Sequence, residues 1–550
     1  MALIGVDRSY LSRLVGRQLT DADIEQAIPM LGCPYEGKEG SKLFFEIFPN
    51  RPDLLSAEGF ARALRSFFGL GNAQVLHAGK GKLTVTVDRS VAGIRPHIAC
   101  AVTRGARLEA DQISSLIQLQ EKIDETMGRK RKKIAIGLHD LDKVEAPFTY
   151  TAVGPHQIKF VPLDLEESMT PARILAEHPK GVKYGHILEG AAIYPVILDR
   201  NRQVLSLPPI INGELTKVTE KTKNLFIDIT GPQERPLHEA LNIICMALAE
   251  AGCSIETVKI NGRVSPDLAA RSMLVDIKYA NRLLGTSLSA KEFASLAQRM
   301  GLAYRNGTVA IPPYRNDIMH GMDVVEDIAI AYGYQNFVPI LPAVPTAGGT
   351  LLDGRFVRLC SRLLEGSGFQ QVVTMSLVNE EEAYAKMGRV PEKDACRMRN
   401  SVSSECTMFR TSLLPGVLKT FSQNKHNAYP QKIFEAGEVM VLDNQAETGA
   451  TGSVKLAAGW SDGNAGYEKL APIIDSLLAN VGRGYKLVPA EHAGMINGRA
   501  ARIVAGTEVG VIGEVHPAVL EKWNLEKPAA VFEINLSALL AGKRKAQGSG

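Results

Sequence analysis

PPYRNDIMHGMDVVEDIAIAYGY, residues 312–334, is the stretch from which the rest of the chain can be read. It places four carboxylates, Asp317, Asp323, Glu326 and Asp327, within eleven positions. From Met322 onward apolar residues recur at helical spacing. Val324, Val325, Ile328, Ile330 and Ala331 can supply a buried face, and Gly333 stands where a helix would stop. On that helix Asp323, Glu326 and Asp327 fall at i, i+3 and i+4 and share one side, while Asp317 lies one loop upstream and can fold back onto it. Acids this close repel unless a cation sits among them. Magnesium, which takes hard oxygen ligands, is the natural candidate. The spacing also admits a plainer reading, because acids in a first helical turn complement the helix dipole and can simply be solvated.

Outward from this stretch, a chain of 550 residues is too long for one core, so several domains are expected. Hydrophobic residues make up 45% and charged residues 22%, the balance of an ordinary globular protein rather than a disordered or fibrous one. A net charge of +4 permits a nucleic-acid partner without requiring one. The 7 cysteines are scattered, with no CxxC pair and no zinc spacing, and read as reduced thiols of a cytosolic protein. No apolar run of about 18 residues marks a membrane span. Asp7 and Arg8 interrupt the first segment, which therefore does not read as a signal peptide.

The fold class expected is α+β, multidomain. Residues 1–88 form an N-terminal module. In it LFFEIF reads as a strand, PNRPD as a turn pinned by Arg51 and Asp53, and Ser56 as the cap of a helix over Ala57–Phe68. Residues 89–266 alternate strands (HIACAVTRG, KIAIGLHDL, VLSLPPII, NLFIDITG) with long amphipathic helices and form a mixed α/β domain. Between helix and strand runs Arg129-Lys130-Arg131-Lys132-Lys133, able to meet phosphates or to sit in a solvated loop. Asn212-Gly213 reads as a tight turn, and His139 and Asp140 are polar candidates nearby. Residues 268–342 supply two helices, the second capped by Ser289, then a hairpin in YRNGTVAIPPY and the carboxylate helix, which suggests a small winged-helix-like unit. The Pro/Gly linker ILPAVPTAGG leads to residues 350–541. There QQVVTMSLV and four further strands with a few helices predict an antiparallel sheet domain, and 542–550 reads as a polar tail. No Gly-rich phosphate loop of the Walker type is present.

NRPDLLSAEG (50–59), PPIIN (208–212), the four-acid segment and FRTSLLPG (409–416) resemble the phenylalanyl-tRNA synthetase β-subunit family in its short archaeal and eukaryotic form. The similarity runs from Asp7 to about Leu540. It implies a magnesium ion held by Asp317, Asp323, Glu326 and Asp327 near the contact with an α subunit. It implies that 89–266 is a tRNA-editing domain, hydrolysing tyrosine wrongly attached to tRNA(Phe). Ser206 and Asn212 match pocket positions, and Ile197 matches an apolar wall. A buried amide or hydroxyl suits that task, since it can bond a tyrosine phenol and is left unpaired by a phenylalanine ring. The resemblance further implies that 350–541 is a class II aminoacyl-tRNA synthetase-like domain that is catalytically silent. Arg410 alone matches an ATP-clamping arginine, and GEVHPAVLEKW stands where a glycine-rich strand and helix would close the ATP site. The implied assembly is a cytoplasmic α2β2 heterotetramer. Its α subunit binds ATP and phenylalanine and joins the amino acid to tRNA(Phe), releasing AMP and diphosphate, while β supplies scaffold, tRNA contacts and editing. The alternatives are a non-catalytic RNA-binding or scaffold protein and a free-standing trans-editing hydrolase. Dependence on a partner separates them.

Overall fold

The computed structural model describes residues 2–71, 77–343 and 346–547. They fall into two compact units, Met1–Leu341 and Pro342–Gly550. The architecture is mixed α/β with several sheets.

In the first unit, strands Ala2–Asp7, Lys42–Ile47 and Tyr35–Glu39 form a small antiparallel sheet with Lys42–Ile47 in the middle. The helix after the NRPD turn spans Ala57–Phe67. Ser56 Oγ accepts from the Gly59 amide at 3.0 Å and caps it, as the sequence predicts. This helix is buried along most of its length, including Glu58 and Arg62. Burial pushes the Glu58 carboxyl above its ordinary range. The group is tolerated because Tyr10 and Ser115 hydroxyls donate to it at 2.6 Å each, joining the N-terminal module to the helix Ala110–Glu125.

Residues 84–265 build a ten-stranded mixed sheet, in which Ile211–Asn212, Val204–Leu207 and Tyr194–Leu198 lie at one end and Asn224–Gly231 and Ala135–Asp140 at the other. Two expectations are corrected here. The tight turn lies at Pro208-Pro209, where the Ile210 amide donates to Leu207 O at 2.8 Å. Asn212 is instead paired in register with Ser206 across that turn. The small unit after residue 268 carries an additional strand, Arg271–Leu274, so its sheet has three strands. Its Asn306-Gly307 hairpin takes left-handed φ values of 50° and 81°, as that dipeptide predicts. The carboxylate helix spans Gly321–Tyr332 and stops at Gly333.

The three sequence-defined regions of this unit share one core. Phe60, Leu241, Phe293 and Ile328 belong to a single buried cluster, because the helices Ala57–Phe67, Glu234–Glu250 and Ala290–Arg299 pack on one another.

The second unit is a seven-stranded sheet, antiparallel except for its two-residue edge strand Gln370–Gln371. Only the two ends of QQVVTMSLV are strand, at Gln370–Gln371 and Leu377–Val378. Helix Leu536–Gln547 runs into the segment expected to be a polar tail.

Gly59 marks how tightly the NRPD turn packs, since a Cβ there would stand 2.0 Å from the Asp53 carbonyl oxygen. Gly59→Ala is expected to cost about 2 kcal/mol through overpacking. Thermal unfolding should show a lower Tm than wild type, and an unchanged Tm would contradict this account of the turn.

Candidate functional site

Where the two ends of the large sheet approach each other, a cavity of about 290 Å³ opens between helix Ala110–Glu125, the strand Ala135–Asp140 and the Pro208–Thr216 segment. Ser206 and Asn212, both expected at a pocket, line it. Ser206 is 2% exposed and its hydroxyl has no hydrogen-bond partner, an orphaned polar atom at the cavity wall. Asp228, absent from the sequence-based site, also lines the cavity. Its Oδ2 lies 2.9 Å from His139 Nε2, and His139 Nδ1 lies 2.8 Å from Thr216 Oγ1, so the carboxylate is held rigidly from behind. Gly137 leaves room for it, since a Cβ at that position would be 1.8 Å from Asp228 Oδ2. The signal for Asp228 was present in NLFIDITG, where one charge interrupts a largely apolar strand.

The other candidates are placed differently. His139 is fully buried beneath Asp228 and does not line the cavity. Asp140 accepts from the Thr222 hydroxyl at 2.8 Å and from the Asp142 amide, a turn-stabilising role. Ile197 stands opposite Ser206 in register but is fully buried in the cluster of Phe148, Tyr150 and Phe226 and does not line the cavity. The apolar walls come from Leu116, Ile136, Leu138 and Ile211.

The basic run forms a loop beside this cavity. Arg129, Lys130 and Arg131 take φ values of 48°, 54° and 67°, three successive left-handed residues that cost about 1–2 kcal/mol each. Arg131 holds the loop in place. Its guanidinium donates to Ile210 O at 2.7 Å, lies over the Tyr184 ring and faces Asp124 at 3.0 Å. Burial pushes the Asp124 carboxyl up to about 7.

The four acids of residues 317–327 do not gather around one point. Arg315, 2% exposed, is wedged among them. Its guanidinium donates to Asp317 at 2.7 and 2.9 Å and to Asp327 at 2.7 Å. Asp323 turns instead to the start of its helix and accepts from the Met319 and His320 amides at 2.7 Å each. Glu326 is exposed. Among the described residues no group of His, Cys, Asp and Glu is arranged to hold a metal ion. As a set of four, these carboxylates do not fit magnesium in this chain, because the cation between Asp317 and Asp327 is already a guanidinium. Arg51, Asp53 and Arg62 of the NRPD helix-turn feel the same charges. Arg51 is bidentate to Asp53 at 2.8 and 2.9 Å, and Arg62 lies 3.6 Å over the Tyr314 ring. Burial alone would raise the Asp53 carboxyl, but Arg51, Arg62 and Arg315 hold it below the usual carboxylate range.

Comparison with known proteins gives these features a context. Residues 339–536 match the family model described as the phenylalanyl tRNA synthetase beta chain CLM domain, 273–334 the tRNA synthetase B5 domain and 83–240 the B3/4 domain. The phenylalanine–tRNA ligase β subunit of Archaeoglobus fulgidus is 42% identical over 541 residues, covering 96% of this chain and 97% of the relative. The chain belongs to the phenylalanine–tRNA ligase β-subunit family. It is thus part of an aminoacyl-tRNA ligase, and its family name implies an α partner. The β subunit of Pyrococcus furiosus is 39% identical over 558 residues, covering 98% of this chain and all of the relative. A crystal structure of an N-terminal fragment of the β subunit from Pyrococcus horikoshii superposes with a TM-score of 0.58 at 38% identity, over 60% of this chain and 99% of the fragment.

Against the family background, Arg410 in the second unit is spent internally. It donates to Glu435 at 2.7 Å, to the Thr374 hydroxyl at 2.9 Å and to Glu438 O at 2.9 Å, and it is 6% exposed. No helix among the described residues is long and apolar enough to cross a membrane.

Because Arg315 neutralises two buried aspartates, Arg315→Met should leave them unpaired and destabilise the first unit by about 3–5 kcal/mol. Arg315→Met combined with Asp317→Asn and Asp327→Asn should recover part of the loss. Chemical denaturation of wild type, Arg315→Met and the combined variant reads this directly, and equal stability of Arg315→Met and wild type would remove the network from the account.

Proposed function

We propose that this chain serves its ligase as the scaffold and editing subunit. Its cavity receives the tyrosyl group of a wrongly charged tRNA(Phe), and water hydrolyses the ester there. The carbonyl carbon gains the water oxygen, the bond to the ribose oxygen breaks, and that oxygen leaves with a proton, giving free tyrosine and intact tRNA. The observation that carries this reading is the orphaned Ser206 hydroxyl on a cavity whose walls include Leu116, Ile136, Leu138 and Ile211, with Asp228 fixed by His139 as a further polar group. A phenol can bond to such groups. A phenyl ring leaves them buried and unpaired, which disfavours the correct aminoacyl group by about 1–3 kcal/mol per group.

The internal bonding of Arg410 supports a class II-like second unit that does not bind ATP, so that ATP, phenylalanine and the charging step belong to the α partner. Val373 and Met375, 86% and 71% exposed just past the edge strand, suit a surface covered by that partner. The α2β2 stoichiometry and a cytoplasmic setting go with this reading. Magnesium enters it in reduced form. Asp323 and Glu326 are the acids not tied to Arg315, and any ion at this corner needs its remaining ligands from the partner subunit.

Ser206→Ala removes an unbonded hydroxyl and should fold normally. In the complex with its α partner it is expected to hydrolyse tyrosyl-tRNA(Phe) roughly ten- to a hundredfold more slowly, the equivalent of about 1–3 kcal/mol. Phenylalanine charging should stay at the wild-type rate. Deacylation of tyrosyl-tRNA(Phe) by both proteins checks this. No hydrolysis by the wild-type complex, or equal rates for the two, would sink the reading and leave the scaffold alternative. Hydrolysis by the chain alone would favour a free-standing hydrolase.

A further inference from the structure

The cavity is lined by three cations, Arg131, Lys180 and Lys217, and three anions, Glu121, Asp164 and Asp228, but these charges are not evenly paired. Lys217 is paired with Asp164 at 2.8 Å, and the Arg131 guanidinium is occupied by Asp124 and the Ile210 carbonyl. Lys180, also on the rim, is different. Among the described residues its ammonium has neither a hydrogen-bond nor an ion-pair partner, although it is half-buried. Burial and the neighbouring charge of Arg131 hold that ammonium below its usual range, and Glu121, Asp164 and Asp124 only partly offset them. Asp124 serves both cations but is in contact with Arg131 only, so the Lys180 ammonium is left on the rim without a contact partner among the described residues and open to an anion.

A second observation points the same way. The loop that continues from Arg131 carries Arg129, Lys130, Lys132 and Lys133, none ion-paired among the described residues, and Arg129, Lys130 and Lys132 are exposed or half-buried at the surface. Its three successive left-handed residues are kept by the Arg131 tether and by backbone bonds from Arg131 N to Asp124 O at 3.1 Å and from Lys133 N to Gly128 O at 2.8 Å. Backbone strain retained in a run of unpaired cations beside a cavity needs a purpose that a solvated loop does not have. The charges are spread along the chain rather than gathered into one cradle. That matches a ligand with successive phosphates better than a single inorganic anion.

We propose that Lys180 and the loop 129–133 form a phosphodiester clamp that seats the single-stranded 3′ end of the tRNA, with its terminal aminoacyl ester reaching into the cavity. The clamp rests on the hydrolytic reading of that cavity, and it adds how the substrate is held and in which direction it enters. Lys180 and Lys130 bind the backbone and leave base identity unread, so their loss weakens binding without altering the choice between tyrosyl and phenylalanyl groups.

The test uses the chain assembled with its α partner and compares tyrosyl-tRNA(Phe) with a phosphate-free tyrosyl ester of adenosine. Lys180→Met is expected to raise KM for tyrosyl-tRNA about tenfold with kcat within about twofold, and that loss should be at least about five times the loss seen with the phosphate-free ester. Lys180→Arg should restore most of it. Lys130→Ala with Lys132→Ala should raise KM further and flatten the log–log salt dependence by about 0.7 for each phosphate no longer neutralised. A fall in kcat with unchanged KM, or equal losses with both substrates, overturns the clamp. If the wild-type complex hydrolyses neither substrate, the hydrolytic reading fails on its own. The clamp is then decided by binding of a CCA trinucleotide: weakening by at least about fivefold in Lys180→Met upholds it, and equal affinity overturns it.

Discussion

The first unit depends on a charge-balanced knot in its interior. Arg51, Arg62 and Arg315 meet Asp53, Asp317 and Asp327, and all six are largely withdrawn from water. Isolated ions at this depth are prohibitive, whereas bidentate guanidinium–carboxylate pairs are stable in one geometry only. The knot therefore fixes how the NRPD helix-turn meets the PPYRND turn, two segments more than 250 residues apart in the chain. Once they are held, the helix Ala57–Phe67 is buried against helix Glu234–Glu250, which in turn backs the large sheet. The position of the cavity strands follows from that contact.

Along the sheet the same physics is used with the opposite outcome. The knot balances its charges, although Arg62 keeps Nε and Nη1 without a hydrogen bond. The cavity leaves Ser206 unbonded and Lys180 unpaired, while Asp228 is braced from one side by His139. Unsatisfied polar groups are costly when buried, and Thr103, Asn242 and Asn316 carry such atoms elsewhere; Ser206 differs in facing a cavity that can take a ligand. Arg410 in the second unit makes the contrast plain. The resemblance of its sequence motif suggested ATP chemistry, yet its guanidinium is consumed by Glu435, Thr374 and a carbonyl.

Much of this was legible in the sequence wherever the signal was local. Ser56 and Ser289 cap the helices they were expected to cap, Asn306-Gly307 turns its hairpin, and Gly333 ends the carboxylate helix. Ser206 and Asn212 come together at the cavity because two short strands pair across the proline turn. What spacing could not show was which neighbour would claim a side chain. Counting acids on one helical face suggested an ion between them, and it passed over Arg315, which lies in the same stretch and takes two of the four. Asn212-Gly213 looked like a turn, but strand pairing with Ser206 overrode that preference. Asp228 was visible as a lone charge in an apolar strand, and its partner His139 is close only in space.

The most direct measurement is a crystal structure of the chain with a non-hydrolysable tyrosyl amide of adenosine. The account predicts the phenol oxygen within about 3.2 Å of Ser206 Oγ or an Asp228 carboxylate oxygen, the adenosine toward Lys180, and no comparable occupancy with the phenylalanyl analogue. A ring lodged elsewhere, or tyrosyl and phenylalanyl analogues bound alike with Ser206 still unbonded, would contradict it.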